Sequence, residues 1–433
     1  MIAFVGLSHL GINYSLATAA KGFDVLAFHP SKEVVDQLEG GRLPIEEPGL
    51  HELFADNRRR VHFSSDPRRL SQCELVFVSL DIQTDEQNQS ELGPLVDLVA
   101  GIAPHLKKDC VLVLLSQVSP GFTRKLRADL VRTSTVGEVI YQVETLVFGR
   151  AVERALFPER FMVGMVDPTR ALPPSLRQWH DSFGCPVLSM RYESAELAKI
   201  AINFFLVSSV STTNTLAALC EHIGADWGEI SPALRLDARI GPKAYLSPGL
   251  GLAGGNLERD LVTVERLAHG TLVDTGLIDA WKQNSRCRRD WPARTLRNVA
   301  AKQGLDLGGA VVAVWGLAYK ENTHSIKNSP ALHFIDSIPE ARKLAYDPAA
   351  KLPEGMCPNF EQLPAALDCC TGADALVILT PWPQFGSTDL RVLRDAMRGT
   401  LILDPYGLLD GSRASAQGFD YFRFGVPPKQ AAK

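Results

Sequence analysis

The sequence predicts an α/β protein with two parallel-sheet domains joined by a helical middle. Three observations carry this. Short apolar strands alternate with helical segments over the first 190 residues, a long and almost continuously apolar helical run follows from residue 192, and the opening strand patterns return after residue 300. At 433 residues the chain is long enough for roughly two to three hydrophobic cores.

The elements follow in order. "IAFVGL" (2–7) is a buried strand, "INYSLATAAKG" a helical run, and "DVLAFH" (24–29) a second strand, which together make a βαβ opening. "CELVFVSL" (73–80), "CVLVLLS" (110–116) and "RFMVGM" (160–165) continue the alternation expected of a parallel sheet. The first domain is therefore expected to span 1–190. From 191 to 300 the chain is helical, and "ESAELAKIAINFFLVSSVSTTNTLAALCEHIG" is too evenly apolar for a helix with one wet face. Packing against a second copy of the chain is the natural reason, so a homodimer is expected. In 301–433, "AVVAVWGLAYK" echoes "IAFVGLS", "KLAYDP" echoes "VLAFHP" and "DALVILTPW" echoes "ELVFVSLDI".

The first strand runs into Gly6, Ser8 and Gly11 before a helix, a GxGxxG layout whose second glycine is replaced. In that layout the glycines let the backbone approach a pyrophosphate seated on the helix N-terminus. Ser8 is small enough to keep a dinucleotide. The second strand ends on His29, with Ser31 and Lys32 nearby, where a carboxylate for the ribose 2′-hydroxyl is usual. That leaves NAD as the expected cofactor and NADP as the alternative, or a solvated turn without cofactor meaning.

The formal charge of -4 provides no basic footprint for nucleic acid or a membrane surface. The N-terminus lacks a basic leader and no apolar run of about 20 residues is evident, so a cytoplasmic protein is expected. The eight cysteines show no CxxC spacing and read as reduced, mostly structural and no metal site.

Seven further motifs share one order: "LPIEEPGL" (43–50), "SQVSPGFT" (116–123), "ELAKIAINFF" (196–205), "DARIGP" (237–242), "GLGLAGGNLERD" (249–260), "GLAYKENTHSIKNSPAL" (316–332) and "ALVILTPWPQF" (375–385). In order and spacing the chain resembles the UDP-glucose/GDP-mannose dehydrogenase family over essentially its whole length. The resemblance implies an NAD-binding Rossmann-like domain, a central dimerisation region and a Rossmann-like domain for the nucleotide sugar. It also implies two oxidations of a sugar C6 alcohol through a thiohemiacetal on a loop cysteine.

That cysteine falls on Asn256, the lysine before the family aspartate falls on Arg259, and Asp260 is kept. The resemblance places Glu144, Lys199, Asn203 and Asp260 around the reacting carbon, and Lys199 and Asn203, four apart, share a helix face. Ser116 and Gln117 fall on the cofactor side, Gln117 replacing a threonine. The "TP" pair after the third strand is replaced around Asp81 and Ile82, and Phe148 stands where an acid is usual. Gly254, Gly255 and Arg259 fall on the sugar loop, Lys320 and Lys327 on the nucleotide side, with Lys327 and Tyr406 in arginine positions. Arg239 matches an arginine that reaches into the neighbouring subunit's site.

An amide nitrogen is a poor nucleophile, so Asn256 cannot carry the covalent second oxidation. It stands either as a hydrogen-bond donor to the reacting oxygen or as a turn former, since asparagine tolerates positive φ. The expected activity is NAD(P)-dependent two-electron oxidation of a nucleotide sugar, or its reverse. A non-redox epimerase with resident NAD, a non-catalytic nucleotide-sugar or dinucleotide binding protein, and four-electron oxidation through a hydrate remain the other readings.

Overall fold

The computed structural model describes residues 1–429 apart from 86, 135 and 354. The backbone forms two compact units, Met1–Ile202 and Asn203–Lys433.

The first unit holds strands β1 (Ile2–Val5), β2 (Val25–Phe28), β3 (Val61–Ser64), β4 (Leu75–Val78), β5 (Val111–Leu114), β6 (Glu138–Gln142), β7 (Phe161–Met165) and β8 (Val187–Arg191). They form one sheet in the order β3-β2-β1-β4-β5-β6-β7-β8. Every pairing is parallel except that of β6 with β7. Ile2 and Phe4 pack into one hydrophobic cluster while Ala3 and Val5 pack into another. The sheet is thus covered on both faces, which is why its central strands read as unbroken apolar runs rather than as alternation.

Strand β1 pairs with β2 on one side and β4 on the other, Ile2 facing both Val25 and Leu75. The chain winds in opposite directions from β1, and the crevice at such a switch, outside the carboxyl ends of the strands, is where α/β sheets bind ligands. Gly6 and Ser79 sit at those ends.

The second unit repeats this plan with β9 (Val311–Trp315), β10 (Arg342–Tyr346), β11 (Phe360–Gln362), β12 (Ala375–Ile378), β13 (Leu401–Leu403) and β14 (Asp420–Phe422). The order is β11-β10-β9-β12-β13-β14, parallel throughout, with its switch between β9 and β12. This bears out the two parallel-dominated sheets expected from the sequence repeat.

The helix Tyr192–Ile223 runs for 32 residues. It contains an 18-residue window of mean hydropathy 1.3, long and apolar enough by length and composition to cross a membrane, which corrects the expectation that no such run exists. Its polar residues argue for a protein environment. Asn203, Ser211, Thr213 and Asn214 are buried along it, and Asn203 and Asn214 hydrogen-bond groups elsewhere in the second unit.

All eight cysteines are free; Cys287 is exposed, Cys185 partly so, and the rest are buried.

Candidate active site

The glycine turn of the first sheet is built as a close-approach site. Gly6 has φ +91°, and a Cβ on Gly11 would lie 2.0 Å from the Gly6 carbonyl oxygen and 2.7 Å from Ser79 Oγ. Only glycine fits at either position. The helix His9–Ala20 starts directly after the turn, with no acidic residue in its first turn and no side-chain cap from Ser8. The Ser8 hydroxyl is used elsewhere: it donates to the Ser79 carbonyl at 3.1 Å and accepts the Asp81 N–H at 3.0 Å. The first helical amides therefore point out of the turn towards an acceptor, which is the arrangement that holds an anion. A dinucleotide pyrophosphate fits this cradle, with one group already in it: Asp81 Oδ2 accepts the Leu10 N–H at 3.3 Å.

His9 and Glu47 stand beside the turn. His9 Nε2 lies 2.8 Å from Glu47 Oε1, and its ring lies 4.3 Å from that of Phe148. Glu47 also accepts the Gly149 and Ala151 N–H groups at 3.0 and 3.2 Å. Burial alone would raise the Glu47 carboxyl, but these donors bring it below the usual carboxylate value. Glu47 thus ties loop 147–151 to the helix start, a function hidden inside the "LPIEEPGL" motif.

At the end of β2, His29 Nδ1 accepts the Ser31 N–H at 3.1 Å, and burial lowers the imidazole pKa. Lys32 is engaged by Asp36 at 2.6 Å on the exposed helix surface. A neutral imidazole and a paired lysine make a poor 2′-phosphate site, which favours NAD over NADP. Ser116 Oγ donates to the Leu80 carbonyl at 2.6 Å and Gln117 follows it, half-buried.

The residues that the family resemblance assigns to the reacting carbon form two charged clusters, one in each unit. In the first unit, Lys199 Nζ lies 2.6 Å from Glu144 Oε1 and donates to the Glu144 carbonyl at 3.1 Å. Both side chains are largely sheltered, and Glu144 Oε2 also accepts the Leu146 N–H. In the second unit, Asn203 Nδ2 donates to Asp260 Oδ2 at 2.5 Å, and Arg259 Nε lies 3.3 Å from Asp260 Oδ1. All three are buried. Lys199 and Asn203 belong to one helix, a single turn apart.

The glycine-rich loop leads into the helix Asn256–Ala268. Its left-handed residues are Gly251 (φ +87°) and Gly254 (φ +77°), where a Cβ would lie 2.6 Å from the Ser285 carbonyl oxygen and 3.0 Å from Tyr319 Cε2. Asn256 is the exposed first residue of the helix, Gly255 the half-buried residue before it. This corrects the turn-former reading of Asn256: the glycines absorb the positive φ, and position 256 is free to begin a helix. The loop is held by Ser285 Oγ on Leu252 N at 2.8 Å, by Arg289 on the Leu252 carbonyl at 3.0 Å, and by Asn328 on the Gly254 carbonyl at 2.8 Å. Glu258 in the helix's first turn bonds both Arg289 and Asn328. None of these braces stood out in the sequence, although Asn328 lies within the "IKNSP" motif.

Of the remaining residues, Lys320 Nζ stands 5.9 Å from the Tyr319 ring centroid, Lys327 is exposed, and Arg239 is largely exposed while gripping Asp237 through two nitrogens at 2.6 and 3.0 Å. Among the described residues no group of three His, Cys, Asp or Glu side chains is arranged for a metal.

A doubly wound sheet with this turn defines the class of dinucleotide-binding α/β proteins. Three family models match the chain in order: the NAD binding domain of the UDP-glucose/GDP-mannose dehydrogenase family over residues 1–180, its central domain over 193–286 and its UDP binding domain over 313–411. The chain belongs to the UDP-glucose/GDP-mannose dehydrogenase family, and is an NAD-dependent oxidoreductase acting on a CH–OH group of a nucleotide sugar. It is 28% identical to UDP-glucose 6-dehydrogenase TuaD of Bacillus subtilis (strain 168) across 98% of this chain and 93% of that one. It is 27% identical to UDP-glucose 6-dehydrogenase of Rickettsia typhi (strain ATCC VR-144 / Wilmington), covering 98% and 99%. The solved structure of UDP-D-ManNAc dehydrogenase from Pyrococcus horikoshii shares the fold at TM-score 0.84 and 22% identity, covering 98% and 99%.

Proposed function

We propose that the chain oxidises a primary alcohol of a nucleotide sugar to the aldehyde with NAD, or runs that step in reverse, and stops there. The observation that carries this is Asn256, an exposed helix-initiating amide in the position that the family resemblance assigns to the covalent cysteine. Cys287 does not replace it. Ser285 and Arg289, two residues either side of it on the helix Gly276–Arg289, brace the loop, and a residue midway between them faces the opposite side of that helix. Cys220 is buried.

NAD, when bound, supplies the hydride acceptor, held by the Gly6, Ser8 and Gly11 turn and by Ser116 and Gln117. The residues of the chain handle the proton and the charge. The alcohol loses its hydroxyl proton to the Glu144–Lys199 pair, whose ammonium stabilises the developing alkoxide. Asn203 and Asp260 fix the sugar loop, and Asn256 donates a hydrogen bond to the carbonyl oxygen as it forms. Lys320 and Lys327 hold the nucleotide, with Gly254, Gly255 and Arg259 shaping the sugar side. A lysine is a point charge without the bidentate fork of arginine, so the phosphate grip at 327 is looser than an arginine would give.

A homodimer belongs to this proposal. Phe205 (77% exposed), Leu216, Leu219 and Ile223 recur at helical spacing on an exposed face of the helix Tyr192–Ile223, and such a stripe calls for a protein partner. Arg239, exposed nearby in sequence, would then serve the neighbouring copy's site.

Mass spectrometry of products from UDP-, GDP-, ADP- and dTDP-sugars with NAD or NADP tests the reading. A product lighter by two hydrogens, with one reduced cofactor per turnover, supports it. A uronic acid from the unaltered protein overturns it, and an unchanged or epimerised sugar favours binding without redox or internal hydride return.

A further inference from the structure

The glycine turn contains a group that competes with its own ligand. The first helical amides after Gly6 are the donors to which a pyrophosphate binds, and one of them, Leu10 N–H, is already bonded to the Asp81 carboxylate. Asp81 is placed there by the backbone: its own N–H bonds the Ser8 hydroxyl, which in turn bonds the carbonyl of Ser79 at the end of β4. The serine in the second glycine position and the aspartate after β4 thus form one unit, in which Ser8 positions Asp81 over the helix start.

The contact is built to be broken. The bond to Leu10 is long, 3.3 Å, the Ser8 hydroxyl is the other hydrogen-bonding neighbour of the carboxylate, and among the described residues no ion pair holds it. Burial pushes the Asp81 carboxyl above its usual value, Ser8, His9 and the Leu10 N–H pull it back, and Glu144 adds to the rise. The side chains around it are already engaged: His9 with Glu47, and Glu144 with Lys199.

We propose that Asp81 sets the affinity for the dinucleotide: the pyrophosphate binds only by displacing this carboxylate from Leu10 and tolerating its charge, which makes NAD a weakly held, exchangeable cosubstrate. Asn at this position would keep the shape and an acceptor for Leu10 but remove the repulsion.

The test is titration calorimetry of the full chain with NAD, ADP-ribose and adenosine, comparing the unaltered protein with Asp81→Asn and Asp81→Ala, after checking that all three melt cooperatively. Both substitutions are expected to tighten NAD and ADP-ribose by about tenfold or more and to leave adenosine, which lacks the diphosphate, within about twofold. Unchanged, weaker or undetectable NAD binding in Asp81→Asn overturns the proposal. Equal tightening of adenosine does so as well, because the effect would then not act through the diphosphate.

Discussion

Asn256→Cys is expected to convert an aldehyde-forming enzyme into an acid-forming one. Position 256 is exposed and opens a helix, so the exchange leaves the core intact and should move stability by less than about 0.5 kcal/mol. The thiol would stand at the positive end of the helix, where an exposed anion gains about 0.3–1 kcal/mol. At about 1.36 kcal/mol per pKa unit, that brings a cysteine from about 8.5 to about 7.8–8.3. The thiolate fraction at pH 8 then rises from about a quarter to between about a third and three-fifths. Glu258 in the same turn works against this, but it is already paired with Arg289 and Asn328. The assay counts reduced cofactor per substrate consumed and weighs the product. One reduced cofactor becomes two, the product becomes the uronic acid, and a covalent adduct at position 256 is trapped on acid quench. If Asn256→Cys labels readily with iodoacetamide yet still yields one reduced cofactor and aldehyde, the thiol is present but cannot reach the carbonyl. The assignment of position 256 to the reacting carbon is then wrong.

Two further outcomes are expected. Asp260→Ala removes the buried acceptor that Asn203 and Arg259 share and should lower stability by about 3–5 kcal/mol, whereas Asp260→Asn should stay folded yet lose about a hundredfold in kcat/KM because the loop it fixes no longer positions the sugar; a melting temperature for Asp260→Ala equal to that of the unaltered chain would refute the first part. Burial lowers the His180 pKa from 6.5 to about 4, so its neutral form is favoured in the fold. The unfolded chain takes up a proton below pH 6.5 that the folded chain refuses, so stability is complete above that pH and falls as pH drops towards 4, by about 2 kcal/mol at pH 5. Urea unfolding of the unaltered chain and His180→Gln at pH 7 and pH 5 should show this loss only in the former.

How far the sequence reveals the molecule follows from burial. Strands β1, β2, β4, β5, β9 and β12 read directly because both faces are covered, leaving no polar position to blur them. Strand β3 carries the exposed His62, β8 is largely exposed, and β11 and β14 are three residues long, so little distinguishes them from loop. The same logic governs the site. Gly6, Ser8 and Gly11 are legible because their spacing is local. The Asp81–Leu10 bond spans 71 positions and the Asn328 brace on Gly254 spans 74, and separations of that size leave no periodic trace. The conformation of Asn256 was hidden for another reason: a run of glycines shows that the chain bends, not which residue bends it.

The two sheets share a topology but not an anion site, and the reason lies in one carboxylate in each. In the second sheet the glycine turn after β9 is closed by Asp347. This carboxylate takes the Leu317 and Ala318 N–H groups at 2.7 and 3.0 Å, the Ala349 and Ala350 N–H groups at 2.8 and 2.7 Å, and the Trp382 indole at 3.1 Å. Five donors on one buried group form a structural knot that no ligand will displace. The next helix starts only at Pro330 and is capped by Ser329, so it adds no open amides to the turn. In the first sheet the corresponding turn runs straight into a helix whose amides meet a single long bond from Asp81. A dinucleotide can therefore claim the turn of the first sheet but not that of the second. In the function proposed above, a nucleotide on the family's UDP binding domain is therefore gripped by side chains such as Lys320 and Lys327 instead of by the turn's backbone. Exchange of Lys327 should consequently weaken nucleotide-sugar binding while leaving NAD affinity unchanged, whereas exchange of Asp81 should tighten NAD while leaving nucleotide-sugar binding unchanged.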